Sequence, residues 1–292
     1  MNQILFQIIF LLSKLPFKIL YFISDFIFFI IYYVIRYRKK VVLENLKNSF
    51  PEKSDQEIKK ISKKFYHNFS DYIVETLKAF TISDESLHQR VQHINLEVFS
   101  ESQKKQKNVM MLSGHVFNWE WFNSLATIIP QEKCFRIYRK MQSQFWKEKR
   151  KKIRGRYGNE AIEADDVMKH ILRNPNDGNS VYMFVADQTP HISMVNFGIW
   201  FLNQKTPVFV GYDRLSGRMN VTFVYCEMEK IKRGHYRVTY HEITPTNQKF
   251  EPYEVVKKFH QNLEKTINKN PDNWLWSHRK WKYKDAIKHF DE

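Results

Sequence analysis

The sequence predicts an α/β domain, a mixed central sheet flanked by helices over residues 41–292, preceded by an N-terminal apolar membrane-anchoring helix within residues 1–40. Three observations predict it. Two short apolar runs, Val109–Leu112 and Ser180–Ala186, stop at Ser113-Gly114-His115 and at Asp187-Gln188-Thr189-Pro190, as buried strands do at a sheet edge. Apolar residues at helical spacing lie on either side, at Phe65, Phe69, Tyr72, Ile73 and Leu77 and again in the amphipathic stretch 254–268. Alternating segments at 220–227 and 236–242, joined by Lys230-Ile231-Lys232-Arg233-Gly234, read as a hairpin. At 292 residues the chain is long enough for one such domain with a sizeable core.

Taken in order, Ile19 to Ile35 is apolar except for Asp25. It is slightly short of the ~20 residues of a perpendicular span. Arg36, Arg38, Lys39 and Lys40 follow, which favours a cytoplasmic position for the rest of the chain. Apolar side chains occur on every face of this helix, a pattern that suits lipid better than a one-sided core. It is read as a retained anchor, either spanning the bilayer or lying in its interface. No basic stretch precedes the first apolar residues of the chain and no small-residue cleavage site follows, so this region is not read as a secretory signal. Phe50-Pro51 is a break, and Ser54-Asp55-Gln56-Glu57 a capping box that opens a helix. The stripe from Phe65 to Leu77 should face the core, with His67 packed or solvated beside it. Residues 84–107 read as a polar, helical connection.

The central stretch ends a strand at His115, with Glu120 five residues on, in a segment that reads as helical. Ligands of such sheets bind outside the carboxyl ends of the strands. There an imidazole can take a proton from a hydroxyl, and a carboxylate on the other ring nitrogen can orient it and stabilise the imidazolium. A buried histidine capping a strand is the bland alternative. Residues 133–156 carry eleven Lys/Arg against one acid, Glu148, with aromatic residues interleaved. Such a run is either a solvated face or a surface that holds phosphates beside apolar groups. Asp187 and Gln188 end the second strand as His115 ends the first, so they either border the same crevice or form an ordinary turn. The tail, Trp274 to Trp281, sets three tryptophans around His278, Arg279 and Lys280. It suits a membrane interface or a core-sealing segment whose cations face water.

The formal charge of +16 and the 16% aromatic content suit a partner with negative charge next to apolar surface. A phosphorylated lipid fits both halves of that description and nucleic acid fits one. Cys134 and Cys226 are too few and too isolated for a disulfide framework or a cysteine metal site. Gly-x-Gly-x-x-Gly, Walker, Gly-x-Ser-x-Gly and His-Glu-x-x-His motifs are all absent from the sequence.

Ser113-Gly114-His115-Val116-Phe117-Asn118-Trp119-Glu120 resembles the Gly-His-x-x-Asn-Trp-Glu block of the late, acyl carrier protein-dependent lipid A biosynthesis acyltransferases. Tyr138-Arg139, Ala186–Pro190, Trp274–Lys282 and the layout from Leu15 to Leu46 are similar to further blocks of that family, in the same order. The resemblance implies an acyltransferase-like fold on the cytoplasmic side of a bacterial inner membrane. The acyl donor would be an acyl-acyl carrier protein thioester and the acceptor a hydroxyl of a lipid A precursor. His115 would be the general base and Glu120 its orienting partner. Arg139 would hold a phosphate or the oxyanion, and Asp187, Gln188 and Asn118 would complete substrate binding. No metal or organic cofactor is called for, since the thioester supplies the activated acyl group. An acidic carrier protein and an anionic membrane surface are the partners that the basic charge suits. Val116 and Phe117 stand where Tyr-Gly commonly follows this histidine in the relatives, and Asp213 where glutamate is commoner. Two rival readings remain: an acyltransferase of the superfamily acting on another glycolipid or aminolipid, and a non-catalytic basic protein binding membranes or nucleic acid. Nucleic-acid binding is expected to be only weak and non-specific.

Overall fold

The computed structural model describes residues 2–138, 143, 145, 148, 149, 155, 157–245 and 251–291. The N-terminal layer holds α1 (Asn2–Ser13), α2 (Phe17–Phe29), which continues as a wider turn over Ile30–Val34, α3 (Lys39–Ser49) and α4 (Asp55–Lys78). Then come α5 (Asp84–His88), β1 (Val91–Ile94), α6 (Glu97–Lys104), β2 (Val109–Ser113), a 3₁₀ segment (Trp119–Thr127), β3 (Lys133–Tyr138) and β4 (Asn159–Glu163). The second half holds α7 (Val167–Arg173), β5 (Ser180–Val185), β6 (Phe197–Phe201), β7 (Gln204–Pro207), α8 (Asp213–Ser216), β8 (Thr222–Lys232), β9 (His235–Glu242), α9 (Glu254–Lys269) and β10 (His289–Asp291).

A seven-stranded sheet in the order β1-β9-β8-β2-β5-β3-β4 forms the centre. It is mixed: β2 runs parallel to both β5 and β8, while β8 and β9 form the antiparallel hairpin. All five residues of β2 are buried, the reason this strand is continuously apolar rather than alternating. A small sheet of β10, β6 and β7 packs beside it, where Leu202 and Asn203 make a tight turn with positive φ. The connection expected over residues 84–107 is not purely helical, because β1 pairs with β9 along the sheet edge. Four residues with alternating exposure give too short a pattern to stand out from the polar helices around them.

Two helices frame the site. The capping box of α4 forms as expected: Ser54 Oγ accepts from Glu57 N–H, and Glu57 Oε2 accepts from Ser54 N–H. On α4, Phe65 is buried, whereas Phe69, Tyr72, Ile73 and Leu77 are half-buried. The fully buried face instead carries Ile58, Tyr66, Ser70, Asp71, Val74 and Glu75. Helix α9 has no cap of its own; the Asp213 carboxylate accepts from the N–H groups of Tyr253 (2.7 Å), Val255 (3.0 Å) and Val256 (3.3 Å). The tail seals the core. Trp274, Trp276 and Trp281 are all buried. Lys280 is buried too rather than facing water, which lowers its pKa to about 8 despite the opposing pull of Asp187.

Candidate active site

The parallel pairing of β2 with β5 puts Ser113 opposite Val185. Two residues past each of those positions stand His115 and Asp187, so strand register alone brings an imidazole and a carboxylate to one point on the sheet edge. His115 Nδ1 lies 2.5 Å from Asp187 Oδ1, and the His115 backbone N–H donates to Asp187 Oδ2 at 2.9 Å. Trp274 Nε1 donates to the same Oδ2 at 2.6 Å. Gln188 Nε2 is 3.0 Å from His115 Nε2. Gly114 permits the approach. A Cβ there would sit 2.5 Å from Leu263 on α9 and 3.4 Å from Asp187 Oδ2.

Asp187 is only 2% exposed. Burial alone would raise its pKa, but the His115 ring, the His115 N–H and the Trp274 N–H outweigh burial and hold the carboxyl well below its usual range. With Asp187 ionised, the favoured tautomer of His115 carries its proton on Nδ1 and leaves the Nε2 lone pair toward Gln188 and the open side of the site. The tail completes the arrangement: Val116 and Trp274 form an antiparallel bridge, Phe117 N–H donates to Asn273 O, and Leu275 N–H donates to His115 O. Trp119 stands edge-on to the imidazole at 4.7 Å between ring centres.

The carboxylate at Nδ1 is therefore Asp187, not the expected Glu120. Glu120 lies with an oxygen 3.6 Å from Arg136 Nη2, and the same guanidinium donates to the Glu120 and Trp119 carbonyls. Asn118, expected at the substrate, is fully buried and donates to Glu75 at 3.1 Å, which places it beneath the site. Arg139 lies outside the described residues, as does most of the basic segment around it. Trp274, Arg136 and Glu75 were not singled out by the sequence. The tryptophan-rich tail was the only one of these signals available.

A small, mostly apolar groove opens beside His115. Phe117, Trp119 and Leu275 flank its head, and Phe65, Phe69 and Tyr72 of α4 form its wall. Of the half-buried part of the α4 stripe, Phe69 and Tyr72 line this groove, and Phe69 also packs against the core. Phe117 adopts φ of 47°, the left-handed backbone that favours glycine, and its ring packs on Tyr236 at 5.6 Å. The ring fills space that a glycine there would leave open. Among the described residues no group of three or more His, Cys, Asp or Glu side chains could hold a metal ion.

Residues 3–283 match the family of bacterial lipid A biosynthesis acyltransferases. The chain belongs to that family. It is also similar to the lipid A biosynthesis palmitoleoyltransferase of Escherichia coli (strain K12), with 23% identity over 255 residues, 85% of this chain and 80% of the relative. A lipid A biosynthesis acyltransferase of Shigella flexneri matches to the same extent. For this acyltransferase the family gives the reaction class, and the two strand ends set the His115–Asp187 pair beside an apolar groove.

Proposed function

We propose that this acyltransferase moves a fatty acyl group from an acyl-acyl carrier protein thioester to a hydroxyl of a lipid A precursor, at the cytoplasmic face of the bacterial inner membrane. The observation that carries the reading is His115 held between Asp187 and Gln188 at the head of the aromatic groove.

The acceptor hydroxyl approaches Nε2 and takes the place of the Gln188 amide. Nε2 removes its proton as the oxygen attacks the thioester carbonyl, while Asp187 stabilises the imidazolium. The tetrahedral intermediate collapses, the carbon–sulfur bond breaks, and the carrier thiolate leaves with the proton that His115 returns. The amide of Gln188, freed from Nε2, is a neutral donor near the developing oxyanion. Arg136 acts through the backbone: it ties Glu120 and the start of the 3₁₀ segment to β3, which fixes Trp119 against the imidazole. Arg139 remains the proposed phosphate or oxyanion contact.

The test is a transfer assay on membranes holding the full chain or its His115→Ala variant. A labelled acyl carrier protein thioester is supplied with a tetra-acylated lipid A precursor, and products are weighed by mass spectrometry. The reading expects a His115-dependent gain of one acyl chain on the precursor. A gain only on other membrane lipids would retain the reaction and remove the acceptor. Transfer that survives His115→Ala would remove the base.

A further inference from the structure

The apolar N-terminus packs along α4 through its whole length. Proceeding up the pair, Lys78 Nζ donates to Leu15 O at 2.9 Å, Tyr21 OH to Glu75 at 3.0 Å, and Ser24 Oγ to Asp71 at 2.8 Å. The rings of Phe28 and His67 then stack at 3.5 Å, and Tyr66 OH closes the series on Tyr37 O at 2.5 Å. One face of α2, marked by Leu20, Ser24 and Phe28, is therefore covered by protein. The opposite face is open: Ile19, Phe22, Phe26, Phe29 and Tyr33 recur at helical spacing and are 46%, 76%, 61%, 53% and 45% exposed. Most of the exposed large apolar side chains among the described residues lie in this segment and in α1. The apolar residues on every face of the sequence thus divide between a protein-facing stripe and an unpartnered one.

The covered face rules out a free-standing span. Residues 17–34 have the length and composition to cross a bilayer. Were they to do so, α4 and the tip of the β8–β9 hairpin would sit at the same depth. That neighbourhood is charged: Arg233 donates to Asp25, Asp71 and the Tyr21 carbonyl, and Lys230 donates to Asp71 and Asn68. Arg90 lies over the Phe17 ring at 3.5 Å. Such groups are costly at the depth of the hydrocarbon even where they pair with one another and with backbone carbonyls, and here α4 and the hairpin would have to carry several of them there together.

We infer that the N-terminal segment is a one-leaflet docking face: α1 and α2 lie along the membrane surface, the Ile19–Tyr33 stripe enters the acyl region, and none of the described residues spans the bilayer. The partner is an anionic phospholipid surface. Charge supports that choice, because the exposed Lys14, Lys18, Arg36 and Arg38 bracket the stripe at its two ends, where headgroups lie. Tyr37, at the end of the segment, stacks parallel to Phe69 of the groove wall at 6.1 Å. Given the acyl-transfer reading above, a lipid acceptor would reach His115 from the interface without leaving the membrane.

The experiment uses the full chain on vesicles of phosphatidylethanolamine and phosphatidylglycerol, with a nitroxide at Phe22→Cys or Tyr33→Cys. Both sites are exposed, and the native Cys134 and Cys226 are buried. Depth is read from collisions with oxygen against a water-soluble nickel complex, independently of any transfer activity. A helix in the surface plane puts the two labels at the same depth within a few ångströms. A spanning helix separates them by roughly 16 Å, at about 1.5 Å per residue, and that result overturns the inference. So does a protein that stays off the vesicles, as expected if the stripe is covered by a second copy of the chain. A Phe22→Asp, Phe26→Asp double variant should lose vesicle binding at least tenfold while keeping its circular dichroism. Unchanged binding would show that this face is not the one that docks.

Discussion

At the scale of single residues, the decisive pair is His115 and Asp187. Asp187→Asn keeps the shape but removes the charge that fixes the tautomer, and an expected loss of about 10³–10⁴ in kcat follows from the same change in other base-and-orienter pairs. Steady-state transfer kinetics check it. Glu120→Gln should lose far less, about tenfold or under, because its charged neighbour is Arg136 and not the Nδ1 atom. Equal losses in the two variants would return Glu120 to the base. Phe117→Gly relieves a left-handed backbone worth about 1–2 kcal/mol but empties the volume of a buried ring. Such truncations cost about 3–5 kcal/mol, so thermal unfolding should show a net loss of stability and the groove should accept bulkier acyl chains. His115, Asp187 and Gln188 were legible because each ends an apolar run. Their pairing was not, since the partner of His115 lies 72 residues away and arrives through strand register. The spacing from His115 to Glu120 looked local and assumed an α-helical first turn, whereas the segment is 3₁₀ from Trp119.

Elements carry the next level of argument. Helix α9 stands behind the site, its Leu263 against Gly114, and its start is held by a carboxylate borrowed from α8. Burial raises the Asp213 pKa, opposed by the N–H groups that it accepts from. Asp213→Ala leaves those donors buried without a partner and should cost about 2 kcal/mol, at the upper end for a lost cap. Asp213→Glu should recover only part of that, because three short contacts leave no room for a methylene. Denaturant unfolding separates the three proteins; an Asp213→Ala chain as stable as the parent would discard the cap. Sequence periodicity delivered α4 and α9 with nearly their observed bounds and placed the hairpin, but it ended the first hairpin strand at 227, whereas β8 runs on to Lys232. Periodicity assigned the Phe69 and Tyr72 face to the core; Phe69 does pack against the core and both rings also line the groove, a distinction that an apolar stripe does not carry. It missed β1, whose pairing partner β9 lies far along the chain. The tail was left between membrane and core, and its tryptophans are core.

For the whole molecule, the buried carboxyl of Glu75 joins parts that are distant in sequence. It accepts from Tyr21 of α2, from Tyr236 of β9 and from Asn118 beneath the site, so α2, the sheet and the loop after His115 share one side chain. Burial, partly offset by those hydrogen bonds, raises its pKa from 4.5 to about 7. A raised acid pKa means that the folded state binds the proton more tightly than the unfolded one. The resulting stabilisation is complete below the unfolded value and is lost as pH rises through about 7. The two and a half pH units correspond to about 3 kcal/mol at most. Two histidines act in the opposite direction over part of the same range. Burial lowers His93 to about 4, and burial together with Lys280 lowers His260 to about 3, so both destabilise the fold as pH falls below their unfolded value. Asp187 stays ionised throughout and contributes no slope there, its own loss lying at lower pH. The net pH dependence of the parent is a sum of opposed contributions, with His67 and His235 also lowered and Asp213 and Glu264 also raised, so the difference between parent and Glu75→Gln is the quantity to measure. Unfolding free energies in non-ionic detergent should show the parent ahead of Glu75→Gln by more at pH 5 than at pH 7.5, with the histidine contributions cancelling. A constant difference across that range would mean that Glu75 does not titrate with the fold, and that its role is confined to holding Tyr21, Tyr236 and Asn118 in place.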